Sequence, residues 1–286
     1  MVTLDKMTKK KLNDFPMKST QNVISELPPD LLHEIVGQGA QATIYAVDGK
    51  AFKVFHQSNI YGVKKEVDNQ IMAKELGLPV PAIYDVAEIS GKLCIIMEYI
   101  RGKPLADLAL ENKEQMLFYA DLIAISHAQV LTVSGDGFPD LITDYKKRLK
   151  KSSLPFFQKR YFLHWLKKIP RSDRLCHGDF HPYNILRTDK ESIIIDWTDA
   201  RKGNPIFDIC NTYMTLYAFD SVGAKFYLQT VCQKSGIEAQ RVLSIIALMS
   251  AIKLSKKSVS DQSAAQLRQT VLEHYVKRRR IIRTNL

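Results

Sequence analysis

The sequence predicts an α+β fold in two lobes: a five-stranded antiparallel sheet carrying one helix, then a mainly helical lobe that holds a polar loop and a hairpin. Three observations lead there. Short β-branched and aromatic runs separated by glycine turns fill residues 31–100, and helical spacing of apolar residues dominates 103–286. The helical region is broken by His177-Gly178-Asp179-Phe180-His181-Pro182-Tyr183-Asn184 and then by Ile193-Ile194-Ile195-Asp196-Trp197. With 286 residues, 45% of them hydrophobic, the chain has core material for one large or two modest domains.

The elements follow in order. Residues 1–30 are polar, with Lys9-Lys10-Lys11 and a closing Pro28-Pro29, and are expected to form an extension or surface helix. A strand at Glu34-Ile35-Val36, a Gly-Gln-Gly turn, a strand at Thr43–Val47, a turn at Asp48-Gly49 and a strand at Ala51–Phe55 make a meander. Val67, Ile71 and Leu76 sit among charges at helical spacing from Lys64, and Gly77-Leu78-Pro79 stops that helix. Strands at Ile83–Ile89 and Leu93–Tyr99 complete the sheet, and Gly102-Lys103-Pro104 breaks the pattern. The lobes are therefore expected at 31–100 and 103–286, with a hinge near 98–102. No internal repeat or low-complexity tract is visible.

The chemistry lies in the interruption. The stretch 184–187, a polar turn at 188–192 and the run 193–195 read as a short hairpin, and folding it about Lys190 sets Asn184 opposite Asp196. Paired residues on antiparallel strands are ~4.5 to 5.5 Å apart at Cα, so an amide oxygen and a carboxylate converge. Such hard oxygen ligands suit Mg²⁺, which fills its other positions with water and phosphate. Asp179, five residues before Asn184, is placed to accept a proton from an attacking hydroxyl. Upstream, Gly37-Gln38-Gly39 lies between two strands, where backbone can approach phosphates closely. Lys53 is the single cation in the apolar run Ala51–Phe55 and needs a counter-charge.

These residues resemble the aminoglycoside phosphotransferase and choline kinase family, the small-molecule branch of the protein-kinase-like fold, with its H-G-D-x-x-x-x-N loop followed by D-W or D-F. The resemblance implies ATP and Mg²⁺ as reactants, Asp179 as catalytic base, and Asn184 and Asp196 as metal ligands. It implies that Gly37, Gly39, Lys53, Glu66, Met97, Glu98 and Ile100 bind ATP, with Glu66 partnering Lys53 and Glu75 the weaker alternative. Met97 lines the adenine pocket, and Glu98 and Ile100 contribute backbone groups at the hinge. His181 is a supporting residue, and Asp208 braces the catalytic loop. Asp199 is expected to face solvent or the rim of the site. The chain departs from G-x-G-x-x-G in carrying Ala42, and has Asn204 where the family often has aspartate.

Two departures from protein kinases bear on the acceptor. Gly178 stands where protein kinases often carry the arginine that reads a phosphorylated activation loop. Eleven residues separate Asp196 from Asp208, which leaves little room for a peptide-docking segment. The expected acceptor is therefore a hydroxyl of a small molecule. Net charge is +11, and from residue 211 onward twelve Lys or Arg face only Asp220, Glu238, Asp261 and Glu273. That field disfavours polycations, so a neutral or anionic compound such as a sugar, sugar phosphate or coenzyme precursor is expected. An aminoglycoside or choline-type kinase, an atypical protein kinase and a nucleotide-binding regulator are the alternatives.

The basic runs Lys277–Arg283 and Lys146-Lys147-Arg148 with Lys150-Lys151 have the charge to contact nucleic acid or anionic lipid but read as solvated helix ends, so a nucleic-acid partner is not expected. No apolar run approaches the ~20 residues of a membrane span, and no signal-peptide stretch follows the start, so a cytoplasmic location is expected. Cys94, Cys176, Cys210 and Cys232 lack metal-binding spacing and read as reduced core thiols.

Overall fold

The computed structural model describes residues 35–57, 59–89, 91–255 and 260–284, from residue 278 onward as backbone alone. The expected extension at 1–30, Glu34 and the side chains of Arg278–Arg283 lie outside the described residues. The chain divides into two compact units: residues up to Val67 with Pro81–Ile100, and Asp68–Val80 with Arg101 onward.

The first unit is an antiparallel sheet of β1 (Ile35–Gln38), β2 (Ala42–Val47), β3 (Lys50–Phe55), β4 (Ile83–Ile89) and β5 (Lys92–Glu98), in the order β1-β2-β3-β5-β4. Asp48 and Gly49 both take positive φ, the two-residue turn whose twist matches the flanking strands. Alternation along β3 sends Phe52 and Val54 into a cluster with Ile89, Cys94 and Ile96. Lys53 consequently faces the other side of the sheet.

Helix α1 (Ile60–Glu75) starts four residues before the expected Lys64, because Asn59 Oδ1 accepts from the Gly62 N–H and supplies an N-cap. It ends as expected: Gly77 N–H bonds Lys74 and Leu78 N–H bonds Ala73, closing the last turn.

The second unit is mainly helical. Its helices are α2 (Leu105–Glu111), α3 (Met116–Thr132), α4 (Leu141–Lys151), α5 (Phe156–Lys168) and α6 (Pro205–Tyr217), then α7 (Ser221–Ser235), α8 (Ala239–Ser244), α9 (Ile246–Lys253) and α10 (Asp261–Thr284). One core runs through it, with Phe162, Phe180, Trp197, Phe207, Tyr227 and Leu248 fully enclosed.

Short strands punctuate these helices: β6 (Lys103–Pro104), β7 (Arg174–Cys176), β8 (Ile185–Arg187), β9 (Ser192–Ile194) and β10 (Arg201–Gly203). Lys103 and Pro104, expected only to break the pattern, pair with Arg187 and Leu186 at the sheet edge, where a proline costs no ladder bond. β7 and β10 were not expected either; they pair antiparallel, Cys176 against Arg201, and hold both ends of the polar insert.

All four cysteines are buried and free of disulfides. Burial pushes the Cys94 and Cys210 thiols up to about 12 and Cys232 to about 11. Among the described residues, no helix is long and apolar enough to cross a membrane.

Candidate active site

The polar loop leaves β7 at Cys176 and enters β8 at Ile185, so both of its ends are clamped in sheets. His177 is fully buried, with its Nε2 3.1 Å from the Ile195 carbonyl and its Nδ1 accepting from the Asp179 N–H at 3.4 Å. Those partners define one neutral tautomer, and burial holds the ring below its ordinary value despite the pull of the Asp208, Asp196 and Asp179 carboxylates. Asp179 itself keeps 42% of its side chain exposed. Its backbone is fixed at both ends while its carboxylate is left toward solvent. His181 Nε2 stands 3.9 Å from that carboxylate and 3.2 Å from Asn184 Nδ2.

The hairpin forms, but one residue out of the expected register. Ile185 pairs with Ile194, Leu186 with Ile193 and Arg187 with Ser192, so Asn184 faces Ile195, whose N–H bonds the Asn184 carbonyl at 3.0 Å. The cause is the turn. Thr188 N–H bonds Glu191, and Thr188 Oγ1 accepts from the Lys190 and Glu191 N–H groups, which centres the loop between Asp189 and Lys190. Asp196 comes one residue later, in the left-handed region with φ 62° and ψ 68°. A non-glycine residue held there redirects the chain out of the strand, and such outliers gather at functional sites.

For a metal ion, the donor chemistry fits Mg²⁺. The Asp179 carbonyl, 3.0 Å from Asn184 Nδ2, can only accept, which defines the amide orientation and leaves Oδ1 as the oxygen with which Asn184 could meet a cation. Asp196 Oδ1 accepts from Thr198 Oγ1 at 2.9 Å. Among the described residues no group of three or more His, Cys, Asp or Glu converges. One amide oxygen and one carboxylate leave the remaining positions to water and phosphate, the habit of Mg²⁺ rather than of zinc.

Asp208, on α6, is buried and accepts three hydrogen bonds: from the His177 N–H at 2.6 Å, the Gly178 N–H at 2.8 Å and His127 Nε2 at 3.1 Å. Burial works to raise its carboxyl, yet the His127 contact, the nearby histidines and the Gly178 N–H hold it below the ordinary value. His127 Nδ1 lies 2.6 Å from the Tyr227 hydroxyl, and the imidazole stacks on Phe180 at 4.1 Å. A chain of contacts thus runs from α7 through α3 and α6 to the loop backbone.

Gly178 has φ +85°, and a Cβ there would overlap the Asp199 carbonyl oxygen. Of the two places expected for Asp199, open solvent and the rim of the site, the first does not hold. Asp199 is partly buried, with Oδ1 3.3 Å from Arg148 and 3.8 Å from Arg201, which binds the segment after the hairpin to α4 and β10.

In the first unit Lys53 and Glu66 form an ion pair with little exposure, and Glu75 plays no part in it. Gly37 lies in β1 opposite Ile44, and the Gly39 N–H bonds the Ala42 carbonyl at 2.9 Å. Neither glycine has positive φ, and a Cβ at either would make only ordinary contacts, so nothing among the described residues demands glycine there. Met97 pairs with Ala51 and Ile83. Glu98 exchanges backbone and side-chain bonds with Ala82, its N–H to the Ala82 carbonyl at 2.8 Å and its Oε2 from the Ala82 N–H at 3.0 Å. Ile100 closes the unit just beyond β5.

Sequence reasoning missed His127, Tyr227, Asn211 and Lys253. Asn211 Nδ2 donates to the Gly178 carbonyl at 3.1 Å, and Lys253 Nζ donates to Asn211 Oδ1 at 2.7 Å. The only signal for His127 was a single imidazole in the apolar helix Leu122–Leu131.

The family model for the phosphotransferase enzyme family (APH) matches residues 52–238. No curated protein sequence matches the chain. Among solved structures, a thermostable mutant of aminoglycoside phosphotransferase APH(4)-Ia in complex with ADP and hygromycin B is 14% identical, covers 83% of this chain and 90% of its own, and has a TM-score of 0.62. The amicoumacin kinase hAmiN, in complex with AMP-PNP, Ca²⁺ and Ami, is 14% identical over 93% of this chain and 92% of its own, with a TM-score of 0.58. LicA in complex with AMP is 14% identical over 82% and 88%, with a TM-score of 0.57. At these identities the likeness shows the fold, the kinase-like α+β architecture expected from the sequence.

Proposed function

The chain belongs to the phosphotransferase enzyme family, and from that premise we propose that it transfers the γ-phosphate of ATP, with Mg²⁺, to a hydroxyl of a neutral or anionic small molecule. The observation that carries this reading is the arrangement of the loop: the Asp179 side chain is 42% exposed, the Asn184 amide donates to the Asp179 carbonyl, and Asp208 accepts from the His177 and Gly178 N–H groups just before it.

In this reading Asp179 accepts the proton of the attacking hydroxyl, and His181 supports it. Asn184 Oδ1 and the Asp196 carboxylate would hold the metal, which when bound would neutralise charge on the phosphate oxygens. Lys53, oriented by the buried Glu66, binds the nucleotide phosphates. Gly37 and Gly39 let the β1–β2 backbone approach them, which gives a reason for glycines that packing among the described residues does not supply. Glu98 and Ile100 meet the adenine through backbone groups, and Met97 lines its pocket. Asp208 acts as a positioning residue.

The acceptor class rests on charge. Of the four acids after residue 210, Asp220 caps α7 through the Val222 and Gly223 N–H groups. Glu238 precedes α8, Asp261 opens α10, and Glu273 accepts from Gln269 on the same helix. Asp220 and Glu273 are thus engaged within the fold, Glu238 makes no capping bond, and Lys253 reaches Asn211 behind the loop. A polycationic acceptor lacks the carboxylates that would hold it. The short path from Asp196 to Asp208 is taken up by a 3-10 turn at Trp197–Asp199, β10 and the start of α6, which argues against a peptide-docking segment.

The test is ADP release against a panel of sugars, sugar phosphates, nucleosides, amino alcohols and aminoglycosides. The expected result is turnover of a neutral or anionic member, reduced about 10²- to 10⁴-fold in Asp179→Asn with nucleotide binding retained. An aminoglycoside as the best acceptor would overturn the acceptor class, and full turnover by the Asp179 variant would overturn the mechanism.

A further inference from the structure

Between residues 145 and 172 the chain carries ten Lys or Arg and no Asp or Glu. The structure folds this stretch into α4, a tight corner and α5. Of those cations, Arg148 is withdrawn into the ion pairs with Asp144 and Asp199. Lys147, Lys150, Lys151 and Arg160 stay exposed around the corner, and among the described residues none of them forms an ion pair.

The corner sorts its apolar residues in an unusual way. Leu149 and Leu154 are buried beside it, Ser152 Oγ bonds the Leu149 carbonyl, and Phe162 and Leu166 fill the inner face of α5. Phe156 and Phe157, at the start of α5, point outward at 69% and 72% exposure. Single exposed apolar residues are ordinary, but two adjacent phenylalanines projecting from a field of unpaired cations are not. Lys159 Nζ bonds the Lys150 carbonyl at 3.2 Å, tying the first turn of α5 to the last turn of α4 and making the corner a firm edge.

We infer that this corner is a docking surface for an anionic lipid bilayer, with Phe156 and Phe157 entering the headgroup–acyl boundary and the surrounding cations lying against lipid phosphates and carboxylates. Charge complementarity selects an anionic partner, and each Lys or Arg near such a surface strengthens binding about fivefold. The rings favour lipid over nucleic acid. They pack edge to face on each other, centroids 5.6 Å apart at 73°, and do not offer two parallel faces on which bases could stack. An interfacial contact of this kind needs no membrane-spanning helix.

Cosedimentation of the full chain with vesicles tests this. Binding is expected to vesicles of phosphatidylcholine with one part in three phosphatidylserine, and not to phosphatidylcholine alone. It should weaken at least about tenfold in the Phe156→Ser/Phe157→Ser double variant and in Lys150→Glu/Lys151→Glu, and fall with added salt. Because these side chains are exposed, the variants should melt with the parent. A second measurement is independent of any loss of binding: in Phe157→Trp, emission should shift to the blue when the anionic vesicles are added. Equal binding to neutral vesicles, an unchanged double variant, absence of the blue shift, or displacement of the vesicles by a single-stranded oligonucleotide would each overturn the assignment.

Discussion

Replacing Asp208 by alanine strands three buried donors at once, the N–H groups of His177 and Gly178 and His127 Nε2. Each orphaned donor costs on the order of 1–3 kcal/mol, so Asp208→Ala should lose about 3–5 kcal/mol in denaturant unfolding. Asp208→Asn keeps an acceptor and should lose less, while still lowering kcat because the loop is held less firmly. A different readout belongs to Gly178, whose φ and whose approach to the Asp199 carbonyl exclude a side chain. Gly178→Ala should cost at least about 2 kcal/mol and most of the activity, whereas Ala at Gly37 should fold normally and raise only the KM for ATP. A well-folded, fully active Gly178→Ala enzyme would contradict the geometry described.

At the scale of elements, Lys53 and Glu66 join β3 to α1 through an ion pair of low exposure. Lys53→Met leaves a carboxylate buried without its cation and should destabilise more than the double variant Lys53→Met/Glu66→Leu, although both should lose ATP affinity. A double-mutant cycle measured by thermal unfolding checks this. That Lys53 needs a partner was legible in the sequence because a lone cation in an apolar strand demands a counter-charge, while the choice of Glu66 came from the family resemblance. The five strands were legible for a similar reason, since β-branched runs between glycine turns have few other readings. The hairpin register was legible only to within one residue: the Thr188 hydroxyl decides where the turn closes, and nothing in the strands' composition reports that choice. β7 and β10 are three residues each, too short for a period-2 pattern to emerge. His127 stayed hidden because its partners, Asp208 and Tyr227, are 81 and 100 residues away.

For the whole molecule, stability should fall on the acid side in two stages. Burial holds His177 below its ordinary 6.5, so the unfolded chain takes up a proton there before the folded one does. Its contribution is therefore complete above pH 6.5 and is lost as pH falls from there toward the folded value. Asp208 lies below its ordinary 3.8, so its share persists above that pH and disappears further down. Tyr145 and Tyr227 are raised well above 10 by burial, and their contribution is lost only as pH climbs past 10. Melting temperature against pH should thus show a plateau through neutrality, and His177→Asn should remove the first acid step while leaving the second.

The contact between position 178 and the Asp199 carbonyl has a consequence for descent. Protein kinases often carry an arginine at this point, which reads a phosphate on the activation loop. Here the room that such a side chain needs is taken by backbone, itself moored through Asp199 to Arg148 and Arg201. A single codon change cannot install the sensor, because the mutant would be damaged before any phosphate arrived to be sensed. A lineage carrying this segment is committed to an unswitched catalytic loop until the chain around residue 199 is first rebuilt.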